Sequence, residues 1–144
     1  MDYSRRDLGL ILPVLLAGRA EAANAGLPSE CYSFDALAVK ANPRTHNETR
    51  AVLKGDTTSG CPIELHITTL AAGQMPHPQH HHVHEEMVML QKGTLEVTIA
   101  GKSTRIGPGS VAWVHSNEEH GWKNVGDTPA QYFVLAIGNE KLDG

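Results

Sequence analysis

An all-β fold, a single antiparallel sandwich or barrel, is what this sequence predicts, on three observations. From Pro62 onward the apolar residues recur with a period of two. Turn signals at Ala72-Gly73, Lys92-Gly93, Gly101, Gly107-Pro108-Gly109 and Gly126-Asp127 cut that pattern into short runs. No long amphipathic helix pattern lies between the runs. At 144 residues, 40% hydrophobic and 19% charged, the chain suits one domain large enough to bury its own core.

Residues 1–25 read as a targeting segment rather than as part of the fold, because a charged start is followed by the apolar stretch Leu8 to Ala17 and then by small residues. Arg5 and Arg6 follow Ser4, and Leu8 stands two places beyond the pair, an order that resembles a twin-arginine export signal. The lysine often found further on is missing. An ordinary secretory signal, or a first helix of the domain, are the alternatives, and Gly9 and Pro13 weaken the helix. The apolar stretch falls far short of the roughly 20 residues that span a bilayer, so no membrane anchor is expected after cleavage. Cleavage after Ala22 or Ala25 suits the small-x-small pattern equally.

Residues 26–58, with Pro28, Pro43 and the run NPRTHNETR, are less patterned and are expected to supply an N-terminal arm and an edge strand or two. Residues 59–139 carry the barrel, and 140–144 are a C-terminal tail. Within the barrel Ile63, Leu65 and Ile67 alternate with Glu64, His66 and Thr68, and Leu95, Val97 and Ile99 alternate with Thr94, Glu96 and Thr98. SVAWV (110–114) and QYFVLAI (131–137) are further strand-like runs. Cys31 and Cys61 form an even pair in a chain read as exported, so a disulfide is expected, one that stabilises by roughly 3–4 kcal/mol in the chain-entropy model. Two separate thiols are the alternative; their spacing fits no zinc motif.

The formal net charge is −4 and no basic block occurs, which leaves no footprint for nucleic acid. A metal ion or a small molecule is the expected partner. The stretch HPQHHHVHEEMVMLQKG (77–93) holds five of the nine histidines and two adjacent carboxylates. In an extended chain His80, His82 and Glu86 share parity and can converge on one ion, with His81 on the opposite face. His84 shares the parity too, but three successive same-face histidines outreach one ion unless the chain bends, which places His84 behind the ligands as a supporting group or at the rim. A helix would also align His80 with His84, but Pro76 and Pro78 oppose it, and Val88 stands where a His-Glu-x-x-His helix needs its second histidine. Glu85 has the opposite parity to Glu86, so a paired-carboxylate glycosidase site is a poor reading. Trp113 and Trp122 suit an apolar pocket wall or the core, and Met75, Met87 and Met89 the core or its mouth.

At this point the sequence resembles the cupin superfamily. Gly73, His80, His82, Glu86 and Gly93 match its first motif, with a spacer after Gly73 one residue longer than the commonest form. Gly109, His120 and Asn124 match its second motif, in which His115 replaces the usual proline and Asn117 the usual glycine. Asn117 tolerates the left-handed backbone that a glycine would supply. The resemblance implies a jelly-roll barrel and one divalent transition metal held by His80, His82, Glu86 and His120. His115 is expected either to line the pocket as an acid/base or hydrogen-bonding group, or to sit on the barrel rim.

Three functions fit that ligand set. An oxidoreductase of dioxygenase type acting on a small oxygen-rich molecule is favoured. The others are a lyase or isomerase acting on a sugar acid, and a non-catalytic metal- or ligand-binding protein. Imidazole suits Mn, Fe, Ni, Cu and Zn alike. Export in the folded state would let the ion be loaded in the cytoplasm, which favours Mn or Fe. A periplasmic or secreted location and a homodimer complete the expectations.

Overall fold

The computed structural model describes residues 26–139. The expected export signal and C-terminal tail lie outside them. Nine strands are described: β1 (Lys40–Ala41), β2 (Glu48–Asp56), β3 (Pro62–Leu70), β4 (Glu85–Lys92), β5 (Leu95–Ile99), β6 (Lys102–Ile106), β7 (Val111–Val114), β8 (His120–Asn124) and β9 (Ala130–Ile137). One 3-10 turn, Phe34–Ala36, is the sole helical element among the described residues.

The strands form two antiparallel sheets, ordered β1-β2-β3-β9-β4-β7 and β6-β5-β8. Their facing sides make the core, in which Leu70, Val88, Leu90, Leu95, Val97, Trp122, Ala130, Tyr132 and Val134 form one buried cluster. The all-β jelly-roll architecture is therefore as expected. β5 shows the usual logic of a half-buried strand: Leu95 and Val97 point in, while Glu96 between them is more exposed. β3 differs. His66 pairs with Val134 and Thr68 with Tyr132, so Glu64, His66, Thr68 and Leu70 share the interior face, while Ile63, Leu65 and Ile67 take the opposite face, on which Ile67 is also buried.

The N-terminal arm lies along β2. Leu27 N–H donates to the Asp56 carbonyl at 2.8 Å, and the Arg50 guanidinium sits 4.5 Å from the Phe34 ring centroid. Cys31 and Cys61 are free thiols, exposed and half-buried respectively, which corrects the expected disulfide. An even count of cysteines does not by itself make a bridge, which also needs the two Cα atoms within disulfide reach. Asn124 is fully buried and ties the base of the barrel together: its Nδ2 donates to the Leu70 and Thr128 carbonyls at 2.9 and 2.8 Å, and its Oδ1 accepts from Gly126 N–H at 3.0 Å.

Candidate metal centre

Three parts of the chain build the centre. β4 points Glu86 inward, because its neighbour Val88 faces the core and parity does the rest. β8, from the other sheet, brings His120, which is fully buried. The loop before β4 supplies the remaining histidines. Its prolines, Pro76 and Pro78, keep it extended but unladdered. His80 alone forms a two-hydrogen-bond bridge with His120 (N to O 3.0 and 2.9 Å), and Asn117 N–H holds the His82 carbonyl at 2.7 Å. Asn117 does so in a left-handed conformation, φ 61°. Gly121 completes the docking, since a Cβ there would stand 2.9 Å from the Gln79 side chain. His80 and His82 thus do not share a continuous strand with Glu86, as their parity suggested; the strand begins at Glu85, and hydrogen bonds to β8 and its loop aim the two rings.

The geometry of the rings is close. His80, His82 and His120 offer ligand atoms all within 4.8 Å of one another. Nε2 of His82 and Nε2 of His120 each lie 2.9 Å from the same oxygen, Oε2 of Glu86. On the other side of each ring, Nδ1 lies 2.8 Å from a backbone carbonyl, that of His84 for His82 and that of Glu118 for His120. A carbonyl requires Nδ1–H, which in a neutral ring leaves the lone pair on Nε2. Two Nε2 lone pairs and a carboxylate then converge, an arrangement that calls for positive charge between them. Two extra protons supply it at a cost; one divalent cation supplies the same charge and accepts all three lone pairs. His80 adds to the fit, because its Nδ1 is buried without a hydrogen-bond partner.

The electrostatics agree. Burial pushes the Glu86 carboxyl up, but the contacts from His120 and His82 outweigh it and hold the group below its ordinary value. Burial pushes His120 down, and the bonds to Glu86 and to the Glu118 carbonyl more than offset it, so its value is raised. His80 is lowered by burial first and by His77 and His120 next, which keeps it neutral and able to ligate.

A cavity of about 470 Å³ opens onto this cluster. His80, His82, His84 and Glu86 line one part of it, Glu64, His66, Val134 and Ala136 another, and Lys54, bonded to Glu64 at 2.7 Å, a third. Ala136 lies between Glu64 and Glu86 in the sheet, and its small side chain leaves room between the two.

Of the residues singled out in the sequence, His80, His82, Glu86 and His120 come together. His115 does not join them: its side chain is 73% exposed, its Nδ1 lies 3.8 Å from Glu85 Oε1, and it is not among the cavity's walls. Glu85, beside His115, stands on the face of β4 opposite Glu86. Trp122 belongs to the core and stacks on His120 with centroids 5.9 Å apart, whereas Trp113 pairs with Met87 on the outer face. Met75 is exposed and Met89 half-buried. His66 was missed as a site residue, although its place in the polar parity of β3 was the available signal. His84, expected behind the ligands or at the rim, lies against the cluster: its ring stacks on His82 at 3.6 Å, and a bend at Val83 and His84 brings it there.

Comparison with known proteins places this geometry. The family described as Cupin domain (Cupin_2) matches residues 66–137. No curated protein matches the chain. Among solved structures the chain is similar to an RmlC-like cupin from Shewanella frigidimarina (15% identity, TM-score 0.62, covering 78% of this chain and 95% of that one). It is also similar to a sugar phosphate isomerase of the cupin superfamily from Silicibacter pomeroyi (16%, TM-score 0.62, 76% of each chain). A third similar structure is a predicted oxalate decarboxylase from Thermotoga maritima (17%, TM-score 0.64, 76% of this chain and all of that one). At these identities the likeness is one of fold.

Proposed function

The chain belongs to the Cupin domain family, and from that premise we propose that it is a metal-dependent enzyme acting on a small oxygen-rich molecule, with dioxygenase-type oxidation as the favoured chemistry. The observation that carries the reading is the convergence of His82 Nε2 and His120 Nε2 on Glu86 Oε2 at one end of an accessible cavity. Bound there, a divalent ion of the Mn or Fe kind supplies Lewis acidity and one-electron chemistry. The protein's own contribution is to hold the ligand set: the His84 and Glu118 carbonyls fix the two imidazole tautomers, and Val134 and Ala136 give a bound molecule an apolar wall.

A second reading, a lyase or isomerase, draws on His66. Its Nδ1 faces Glu64 at 3.9 Å, which leaves Nε2 as the ring atom available to move a proton to or from a bound molecule. The similar structures named as an isomerase and a predicted decarboxylase lend this reading support by analogy of fold. Export by the segment 1–25 and pairing as a homodimer belong to the same proposal. The apolar outer face of the six-stranded sheet, where Val111 and Trp113 are exposed, supports the pairing.

The test is oxygen uptake by the Fe- and Mn-loaded protein across a panel of phenolics and small hydroxy acids. The favoured chemistry predicts uptake in step with substrate loss, abolished in His120→Ala. Substrate turnover without oxygen uptake, lost in His66→Gln while the metal stays bound, would instead establish the second reading.

A further inference from the structure

His84 has no counterpart in the ligand pattern His80, His82, Glu86 and His120, yet the structure gives it a ligand's position. His82, His84 and Glu86 offer one ligand atom each within 4.8 Å of one another, a second set that shares His82 with the first. Glu86 reaches two members of the first set as well, since its Oε2 is 2.9 Å from Nε2 of His82 and of His120. An ion seated between His82 and Glu86 can therefore be completed from two sides, by His80 and His120 or by His84.

The two sides differ in access. His120 is fully buried and is absent from the cavity wall, so the first side is open to the cavity only at His80, whereas His84, the whole of the second side, lines the cavity from which any bound molecule must reach the ion. The position of His84 is also built rather than incidental. Its carbonyl accepts from Nδ1 of His82 at 2.8 Å, and its ring lies parallel to that of His82, at 12° and 3.6 Å. The same hydrogen bond that sets the His82 tautomer thus fixes the backbone from which His84 projects. His84 groups with His82 and Glu86 but not with His80 and His120, so an ion drawn fully into the three-histidine set leaves His84 behind.

We propose that His84 is an exchangeable ligand: it occupies the cavity-facing coordination position of the ion in the resting protein and yields that position when a small molecule binds. Four protein ligands leave a first-row ion open positions that water or any small anion can enter. With the ion seated toward His82 and Glu86, the His84 imidazole would close one of them until a better ligand arrives. The inference rests on the metal-binding reading above, and concerns which side chains hold the ion rather than which reaction it serves.

The experiment uses the full chain loaded with Co(II), with azide as the probe, and compares wild type with His84→Ala and His84→Phe. The phenylalanine variant keeps a ring stacked on His82 but cannot ligate. The expected result is one cobalt bound per chain in all three, a visible d–d spectrum altered in both variants, and azide binding tightened about tenfold, some 1.4 kcal/mol, in both. Identical spectra and azide affinities in all three proteins would overturn the proposal. So would a change confined to His84→Ala, which would assign His84 a packing role. Failure of the wild type to bind cobalt would instead sink the metal-binding reading itself, so the two failures are told apart by stoichiometry.

Discussion

At Glu86 one oxygen faces two imidazole nitrogens, each 2.9 Å away, while both rings spend their other nitrogen on a carbonyl. This count of lone pairs and protons explains why Glu86 is lowered and His120 raised, whereas His80 is lowered first by burial and then by the neighbouring His77 and His120. His66, further along the cavity wall, obeys a different balance. Burial lowers it from 6.5, against the opposing pull of Glu64 and Glu86. The unfolded chain therefore takes up this proton at higher pH than the folded protein does. The stability that neutral His66 contributes is fully present above 6.5 and is lost as the pH falls below it toward the folded value. Replacing His66 by Gln removes that contribution. Urea unfolding of the metal-free protein should show stability declining less in the variant than in the wild type between about pH 7 and pH 5.5. Equal declines would mean that His66 titrates as it does in the unfolded chain.

At the scale of elements, the β4–β5 junction is the most exacting. The chain leaves the six-stranded sheet at Lys92 and enters the three-stranded sheet at Leu95, turning at Gly93 with φ 90°. A Cβ on Gly93 would stand 2.6 Å from Ala130 Cα, a backbone atom that cannot swing aside. Gly93→Ala combines left-handed strain with overpacking and should cost about 2 kcal/mol or more, measured by thermal or denaturant unfolding. Lys92-Gly93 was legible in the sequence as a turn, as were the strands around Ile63, Leu95, Ala112 and Val134, because alternation and glycine are local signals. That His80, His82, Glu86 and His120 would cluster was legible through motif spacing. What the sequence did not disclose depends on partners distant along the chain. β3 alternates cleanly, but alternation does not say which face is inside, and there the polar face lines the cavity with His66 and Glu64. His115 shares a loop with the second motif, yet its side chain stands in solvent beside Glu85 of another strand. His84 enters the cluster through a two-residue bend that no propensity specifies.

On the scale of the whole molecule, two sheets of opposite demand meet at the site. The three-stranded sheet contributes His120 from a fully buried position, and the six-stranded sheet contributes Glu86 together with the cavity walls from β3 and β9. The loop 77–84 joins them, through the His80–His120 bridge on one side and its entry into β4 on the other. The barrel therefore places its charged cluster where both sheets and one loop must be correctly assembled, so metal binding reports on the whole fold. The most direct test of this account is metal analysis by mass spectrometry of the tag-free protein and of His120→Ala, scored as moles of each metal per chain. About one divalent transition metal per wild-type chain is expected, with near-complete loss in the variant, since removing one imidazole leaves the two-proton or one-cation balance at Glu86 unmet. A wild-type protein that is folded, empty and refuses added Mn, Fe, Co or Zn would contradict it.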